Sequence, residues 1–491
     1  MKNNNKNNVR RNFLKQALGL SALPLISSGI AGNSGILNAF MSSAAQAGTI
    51  GGYKAIVCLF FFGGQDSHDT ILPYDQPSYD GFANLRSELF NIYANKAVNT
   101  RARNNLLALN PTNAGDFGSR QFAMVPELAP IKSLFDNGNA AIIGNVGPLI
   151  RPITAADITG PTPPIPARVM SHNDQQSTWM SLAPEGNIHG WGGLFADKLV
   201  AAGVNSNPRF TTINTSTFGN VVFQAGSTIQ PFTLNGVTGL PTNIAGFDNS
   251  DEWLYGAGNS SAVIEDLIRQ RYKNAGFTGS NLFEQDMKNI SQDAFDGSAE
   301  FITAQNGVTP LATPFPTDNI GTQLKSIANT INIRGNLGTN RQIFFASPNA
   351  GFDTHDSQAD RLPANQSSYA QAVAAFYQAT VEMGIENDVL LFTASEFGRS
   401  LIVNGDGTDH GWGAHHFVIG GGVNGNTIYG DIPPYEIGHE YDYERGHLIP
   451  KVSVEQYAAT MGKWFGLTNA EILEAMPTLV NFPITDLGFM V

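Results

Sequence analysis

Residues 54–62 read Lys-Ala-Ile-Val-Cys-Leu-Phe-Phe-Phe, an almost uninterrupted apolar run. Such a run is typical of a strand that is covered on both faces in a parallel sheet. Similar short runs recur along the chain, and helix-like segments lie between them. Strands that alternate with helices predict an α/β protein, namely a three-layer α/β/α sandwich with a mainly parallel central sheet. The expected strands are 54–62, 140–146, 342–346, 388–394 and 416–419, and the expected helices are 192–202, 262–273, 281–303, 323–332, 367–383 and 453–465.

The composition is that of a globular protein with many loops. The 491 residues are 42% hydrophobic and 14% charged, so the chain is long enough to bury a large core. The net charge of −13 argues against a nucleic-acid partner, because binding the phosphate backbone needs a surplus of Lys and Arg. Cys58 is the single cysteine, which excludes an internal disulfide and a cysteine-based zinc site. Any metal must therefore be held by His and carboxylates.

The first 47 residues have the pattern of a secretory signal. Residues 10–15 read Arg-Arg-Asn-Phe-Leu-Lys, an apolar run follows over about 17–31, and residues 45–47 form an Ala-Gln-Ala cleavage pattern. The paired arginines resemble a twin-arginine signal, which predicts export to the periplasm or the extracellular space. The apolar run is shorter than the roughly 20 residues that span a bilayer. We therefore expect no stable membrane span once this signal is removed.

The remaining residues, 48–491, are expected to form a single domain. Residues 205–258 are rich in Gly, Asn and Pro and have no long apolar pattern of their own. This stretch is therefore interpreted as a loop-rich insertion or lid over the site, where it would determine substrate choice.

Polar residues follow two of the predicted strands, at the edge where parallel sheets bind ligands. Asp66 comes after two glycines that end the first strand, and it fits either a metal ligand or the cap of the following turn. Asp353 and His355 follow the strand at 342–346. One hard oxygen and one imidazole within a turn suit zinc or manganese, although a solvated acidic loop has the same pattern.

The next strand, at 388–394, is followed by Glu396 and Arg399. Glu396 lies at the same expected edge, and Arg399 is close enough to pair with it or to hold an anion. A salt bridge between the two is the alternative interpretation.

A cluster of histidines comes shortly afterwards. His410, His415 and His416 fall within seven residues, and Asp409 stands beside the first of them. This concentration favours metal binding over a structural role. Because neighbouring residues on a strand point to opposite faces, one of His415 and His416 is expected to face away from the site.

A further candidate lies earlier in the chain, where Ser171 and His172 begin a predicted helix. Ser171 is placed either as a nucleophile, near backbone N–H groups that stabilise an anion, or as an ordinary N-cap.

These motifs resemble the DUF1501 family, exported bacterial proteins of unknown activity that usually carry twin-arginine signals. The resemblance runs from about Tyr53 to the C-terminus. The family is in turn similar to the alkaline phosphatase and sulfatase superfamily. That similarity implies a site at the sheet edge with one or two divalent ions, zinc first and manganese or calcium next. The segments that carry the resemblance are 61–66, Ser171-His172, 351–355, 395–399, Asp409-His410 and 420–423.

The resemblance also implies roles for individual residues. Ser171 would be the nucleophile, His172 would assist the leaving oxygen, and Arg399 would neutralise the substrate. Phe397 stands where the superfamily has a histidine ligand. The implied metal ligands are Asp66, Asp353, His355, Glu396, Asp409, His410 and His415.

The function implied in this way is metal-dependent hydrolysis of phosphate or sulfate esters. The expected partner is a small-molecule or glycan-linked anionic ester. A non-catalytic exported binding or envelope protein on the same fold is the alternative.

Overall fold

The structure is a computed structural model that describes residues 51–217, 222–241, 282–349 and 351–491. The predicted signal at 1–47, the predicted helix at 262–273 and the later part of the predicted insertion, 242–258, lie outside the described residues. The extent of the domain and the role of the insertion stay predictions. In the described ranges, none of the helices has the length and apolar character that a membrane span requires.

The elements alternate along the chain as the sequence predicts. The described strands are β1 (Lys54–Phe61), β2 (Ile71–Pro73), β3 (Leu107–Ala108), β4 (Phe122–Met124), β5 (Ala140–Gly147), β6 (Thr212–Asn214), β7 (Phe232–Thr233), β8 (Arg341–Ala346), β9 (Val389–Ser395), β10 (Arg399–Val403), β11 (Thr408–His410), β12 (Ala414–Ile419), β13 (Ile428–Gly430) and β14 (Val452–Ser453). The described α-helices are α1 (Gln76–Leu85), α2 (Ser87–Ala94), α3 (Ala129–Asp136), α4 (Ala155–Ile158), α5 (His172–Ser181), α6 (Trp191–Ala201), α7 (Leu282–Gln305), α8 (Asn319–Asn332), α9 (Gln358–Glu382), α10 (Val454–Phe465) and α11 (Asn469–Ala475).

One large sheet organises the fold. Its strand order is β13-β5-β12-β9-β1-β8-β6-β7, with β14 also paired to β5. Strand β1 is central and runs parallel to both β8 and β9. Among the described pairs of this sheet, only those of β12 with β9 and β5 are antiparallel. The start of β12 therefore lies at the edge where β1, β8 and β9 end. The mainly parallel sheet predicted from the sequence is confirmed.

Strand β1 explains why the run at 54–62 is apolar on both faces. Ala55, Val57, Leu59 and Phe61 join a buried cluster with side chains of α3, α8 and α9. The alternate residues, such as Ile56 and the free Cys58, join a second cluster with side chains of α6, α10 and α11. Helices thus cover both faces of the sheet, which confirms the three-layer arrangement. Each large apolar side chain buried in this way contributes about 1.5–3 kcal/mol.

Helix α9 begins further toward the N-terminus than predicted. The sequence pattern places its start at Ser367, whereas the helix starts at Gln358 and contains Pro363. Proline inside a helix removes a hydrogen bond and normally ends a predicted helix. Here tertiary hydrogen bonds hold the first turns, because Gln358 Nε2 donates to Asp66 Oδ2 at 2.7 Å. Similarly, Gln366 Nε2 donates to the carbonyl oxygen of Asp69 at 2.9 Å.

Two smaller sheets lie beside the main one. Strands β2, β4 and β3 form an antiparallel sheet, and β10 pairs with β11 in an antiparallel ribbon. The ribbon begins at Arg399, just beyond the end of β9, and ends at His410, just before β12. It therefore brings His410 back to the edge of the sheet where β1, β8 and β9 end.

Candidate functional site

Two glycines allow the loop after β1 to touch both neighbouring loops. Gly63 has φ +102, and a Cβ there would lie 2.3 Å from the backbone nitrogen of Asp353. Gly64 has φ +85, and a Cβ there would lie 2.3 Å from the ring of Phe397. Neither position tolerates a side chain without displacement of the loop beside it. The glycines are therefore needed to draw the loops after β8 and β9 together.

The centre of the site is formed by His172, Asp353 and His410. One potential ligand atom from each lies within 4.8 Å of the other two. Asp353 Oδ1 is 3.3 Å from His410 Nε2, and Asp353 Oδ2 is 3.6 Å from His172 Nε2. His355 lies on the more exposed rim, with its Nε2 2.9 Å from His410 Nε2 and 3.2 Å from Asp353 Oδ1. Imidazole nitrogens and carboxylate oxygens are the ligands that zinc uses in proteins.

The hydrogen-bond partners of two imidazoles determine where their hydrogens sit. His172 Nδ1 is 2.6 Å from Glu396 Oε1, and His410 Nδ1 is 2.8 Å from the carbonyl oxygen of Met170. A carbonyl oxygen only accepts, and Glu396 Oε1 already accepts from the backbone nitrogen of Gly63, so each Nδ1 is assigned the hydrogen. In the neutral form each Nε2 then presents a lone pair toward Asp353. Histidines that bind metal typically have this outer arrangement.

The surroundings drive the ionisation of the two imidazoles in opposite directions. The hydrogen bond to Glu396 raises the pKa of His172. Burial lowers the pKa of His410. Burial also opposes ionisation of Asp353, but its hydrogen bond to Arg399 and the charges around it bring its pKa below the ordinary value. The centre therefore favours an ionised carboxylate beside a neutral imidazole.

Arg399 is fully buried and holds the loops of the site together. Its guanidinium donates to the carbonyl oxygens of Gly63, Gly64, Phe352 and Thr408 at 2.6, 3.1, 3.2 and 2.9 Å, and it also bonds Asp353 Oδ1. Burial lowers the pKa of this guanidinium. These bonds orient Asp353. The predicted role of Arg399 in neutralising a substrate stays a prediction.

Glu396 lies behind His172, outside the group of three. It is fully buried, and its Oε1 accepts from the backbone nitrogen of Gly63 at 2.8 Å as well as from His172. Phe397 is also fully buried and stacks on His410, with ring centroids 4.4 Å apart. It thereby forms an apolar wall where the superfamily resemblance implies a ligand.

Asp66 lies in a separate buried network. Its carboxylate caps the short helix that follows, accepting from the backbone nitrogens of His68 and Asp69, and it pairs with Arg86 at 2.5 Å. Gln358 donates to the same carboxylate, as described for α9. The structure thus has the capping arrangement that was one of the two interpretations of Asp66, and a metal-binding role for it stays a prediction.

Two other candidates stand at the margin of the group. Ser171 occupies the N-cap position of α5, and its hydroxyl donates to Asp174 Oδ2 at 3.2 Å. Asp409 Oδ1 accepts from Asn404 at 2.8 Å and lies 3.5 Å from His355 Nδ1. Asp409 therefore contacts a potential ligand from behind, and Ser171 is the residue directly before His172.

The two histidines of β12 are buried away from the central group. His415 Nδ1 accepts from the backbone nitrogen of Asn145 at 2.9 Å. His416 packs edge-on to Trp179 and stacks parallel to Tyr457, with centroids 5.4 and 6.2 Å away. Burial lowers the pKa of each of these histidines to about 3. A metal-ligating role for His415 stays a prediction.

Met170 and Gln175 belong to the site although no sequence pattern selects them. Met170 acts through its carbonyl oxygen, and every residue type has one. Gln175 is buried and donates to the carbonyl oxygen of Glu396 at 2.9 Å. Met170 lies two residues before His172, and Gln175 lies three residues after it. This closeness along the chain is the signal that could have identified them.

Comparison with known families bears on the part of the chain that carries most of these residues. Residues 322–476 match the model of a family described as DUF1501, a protein of unknown function. The DUF1501 resemblance is confirmed for this segment. The DUF1501 segment contains Asp353, His355, Glu396 and His410, whereas His172 lies before it.

Similarity to other known proteins is remote. No curated protein matches the chain. Among solved structures, the PsFucS1 sulfatase from Pseudoalteromonas sp. covers 90% of this chain and 73% of its own at 8% identity, with a TM-score of 0.33. Ps i-CgsB in complex with k-i-k-neocarrahexaose covers 88% and 77% at 9% identity, with a TM-score of 0.32. A protein of glycosaminoglycan metabolism from Bacteroides thetaiotaomicron covers 86% and 74% at 9% identity, with a TM-score of 0.31.

Proposed function

We propose that this protein is a metal-dependent hydrolase that acts on phosphate or sulfate esters. The observation that carries the proposal is the convergence of two imidazole Nε2 atoms on one carboxylate. His172 Nε2 and His410 Nε2 both face Asp353, and both are fixed from behind by an acceptor at Nδ1.

The spacing of the ligand atoms of Asp353, His355 and His410 fits one divalent ion. With metal–ligand bonds of 2.0–2.1 Å, the ligand atoms of a tetrahedral ion lie about 3.3 Å apart. Asp353 Oδ1, His355 Nε2 and His410 Nε2 are 2.9, 3.2 and 3.3 Å from one another. Two or three imidazoles favour zinc or manganese over calcium, which prefers oxygen ligands. Phe397 occupies the side on which a second ion would need a ligand, so we propose a single ion.

Asp353, His355 and His410 would hold this ion, and His172, whose Nε2 is 3.6 Å from Asp353 Oδ2, would complete the set. A divalent ion there would polarise an ester oxygen and lower the pKa of a hydroxyl or water. His172 cannot bind an ion through Nε2 and donate a proton from the same atom, so we assign it to binding. His355 Nε2 is assigned to binding for the same reason, and the leaving oxygen would take its proton from water.

Ser171 is the proposed nucleophile. It directly precedes His172, and its hydroxyl already donates to the carboxylate of Asp174. That carboxylate is in position to take the proton as the serine oxygen attacks. Arg399 would act indirectly, because its bonds to Asp353 and to four carbonyl oxygens keep the loops in place.

Elemental analysis and ester turnover test this proposal together. The purified chain should contain one zinc or manganese per molecule and should hydrolyse an aryl phosphate or an aryl sulfate. Asp353→Asn should lose both the metal and turnover, and Ser171→Ala should keep the metal but lose turnover. Asp136→Asn is the matched control, since Asp136 forms a partly exposed pair with Lys132. Metal-loaded protein that is inert on both ester classes would refute the hydrolase proposal.

The second candidate is a binding protein without turnover, and one observation favours it. The guanidinium of Arg399 donates its hydrogens to other groups of the protein, and Phe397 forms an apolar wall of the centre. In the described centre, Arg399 is therefore not free to bind an anionic substrate. In that case Asp353→Ala would lower affinity for an anionic glycan, measured by calorimetry, while no product would form.

Export is part of the proposal and rests on the pattern in residues 1–47. Fractionation of cells that make the full chain should place the protein outside the cytoplasm. Replacing Arg10 and Arg11 together by Lys should retain it inside, if the twin-arginine route is used.

A further inference from the structure

The segment that leads into α5 contacts the centre at two points. His172 extends from the first residue of the helix, and the carbonyl oxygen of Met170, two residues earlier, accepts from His410 Nδ1. One short stretch of chain therefore supplies one imidazole and sets the hydrogen position of another. If either imidazole carried its hydrogen on Nε2 instead, that nitrogen could not bind a cation.

Met170 has an unusual backbone conformation that aims this carbonyl. Its φ is +69, in the left-handed region that residues other than glycine seldom adopt. Such a conformation persists only where neighbouring groups hold it. Gln175 is the neighbour that does so, because its Oε1 accepts the backbone hydrogen of Met170.

Gln175 also links this segment to the loop after β9. It is 1% exposed, and its Nε2 donates to the carbonyl oxygen of Glu396 at 2.9 Å. One buried amide thus joins the Met170 backbone to the Glu396 backbone. Both of its bonds are made to backbone atoms, so neither depends on a metal ion.

Glu396 performs the corresponding task for His172. Its carboxylate is fully buried, and Oε1 receives the Nδ1 hydrogen of His172 and the backbone hydrogen of Gly63. The bond from Gly63 N fixes the oxygen at the end of β1, on the rigid edge of the sheet. Glu396 therefore touches the central group only through the far side of an imidazole.

We propose that Glu396 and Gln175 are positioning residues that hold His172 and His410 in the Nδ1–H tautomer. Glu396 acts directly on His172, and Gln175 acts on His410 through the carbonyl of Met170. The inference rests on the proposed function in one respect, since the two Nε2 atoms are those assigned to the metal ion. The tautomers themselves exist in the metal-free chain.

Long-range ¹H–¹⁵N spectra of the metal-free, histidine-labelled chain test the inference, because they distinguish the two neutral tautomers. The chain has nine histidines, so His172→Gln and His410→Gln are used to assign the two signals. At a pH above the raised pKa of His172, where both imidazoles are neutral, both should show the Nδ1–H pattern. Glu396→Leu should shift His172 toward Nε2–H, and Gln175→Met should do so for His410. Glu396→Gln should restore the His172 pattern, since an amide oxygen accepts the same hydrogen.

Gln366→Met is the matched control, a fully buried glutamine on α9 that bonds the Asp69 backbone instead. It should leave both signals unchanged. If Glu396→Leu and Gln175→Met also leave both tautomers unchanged, the inference is wrong. Gln175→Met tests the His410 half alone, so the inference can still be refuted if Glu396→Leu fails to fold.

Cobalt titration separates this inference from the proposed function. The Co²⁺ affinity of the two positioning variants should fall about 10- to 100-fold, as for other residues that orient metal-binding histidines. Tautomer shifts in a chain that binds no cobalt would refute the metal-dependent function and support the positioning roles. Unchanged cobalt affinity in both variants, with shifted tautomers, would overturn their role toward the metal.

Discussion

His355 and His410 face each other through their Nε2 atoms at 2.9 Å, and Asp353 Oδ1 lies 3.2 and 3.3 Å from them. The Nδ1 of His410 donates to a carbonyl oxygen, so its Nε2 presents a lone pair to His355. The three atoms are stable together only if a positive charge or a hydrogen lies among them. A divalent ion would satisfy this requirement in the loaded protein.

His355→Ala should weaken metal binding without unfolding the protein. The side chain is 43% exposed, so its removal leaves no buried cavity. We expect Zn²⁺ affinity to fall about tenfold or more, because one of the converging nitrogens is lost. Competition with a chromophoric chelator measures the affinity. His189→Ala serves as the control, since His189 has no described contact with the centre. Equal affinities in the two variants would show that His355 is not a ligand.

Gly64→Ala should destabilise the protein more than Gly52→Ala. Both glycines have positive φ, +85 and +77, so both substitutions carry a backbone cost of about 1–2 kcal/mol. Only the Cβ at position 64 would overlap Phe397, at 2.3 Å, whereas position 52 has open space. We expect a further loss of about 1–3 kcal/mol for the overlap. Urea unfolding, monitored by near-UV circular dichroism, measures the free energy of unfolding of both variants. Similar losses would show that the loop with Phe397 moves aside without a cost in stability.

His416→Phe should extend the stability of the protein to lower pH. Burial lowers the pKa of His416 from 6.5 to about 3, and neither ring nitrogen has a hydrogen-bond partner among the described residues. The unfolded chain therefore takes up a proton below about pH 6.5 that the folded chain refuses, and stability is lost between about pH 6.5 and 3. The unfolding free energy of the variant relative to the parent should therefore increase by about 1.4 kcal/mol for each unit by which the pH is lowered in that interval. Unfolding free energies at several pH values check the slope, and a constant difference would contradict it.

Arg399→Lys should cause a large loss of stability in addition to any loss of activity. A lysine cannot reach the four carbonyl oxygens and the carboxylate that the guanidinium joins. Leaving buried acceptors and Asp353 without their partner should cost about 3–5 kcal/mol. Thermal unfolding measures this effect. A variant that stays as stable as the parent but binds substrate weakly would instead support direct contact between Arg399 and the substrate.

The sequence predicted the architecture well, because local patterns encode it. The apolar runs indicated β1, β5, β8, β9 and β12, since a strand covered on both faces can contain few polar residues. The motifs after β8 and β9 also indicated where Asp353 and Glu396 would lie, and the histidine cluster before β12 indicated His410. The start of α9 was misplaced because Pro363 breaks the local pattern, whereas hydrogen bonds from distant residues hold the helix.

The assignment of individual roles within the site depended on contacts that no local pattern contains. Asp66 and Glu396 both follow strands at the same edge, and from the sequence both fit metal ligands. In the fold, the carboxylate of Asp66 pairs with Arg86 and accepts from two backbone nitrogens. The carboxylate of Glu396 bonds Gly63 and His172 instead.

By itself, the sequence determined the layers, the order of helices and strands, and the edge of the sheet that carries the polar residues. Hydrophobic periodicity and the turn glycines fix these features over a few residues at a time. Only the tertiary structure decided that His172 joins Asp353 and His410, and that a carbonyl and a carboxylate direct their lone pairs inward. His172 lies 181 residues before Asp353 and 238 residues before His410 along the chain. Their meeting therefore follows from the packing of the whole sheet and its helices.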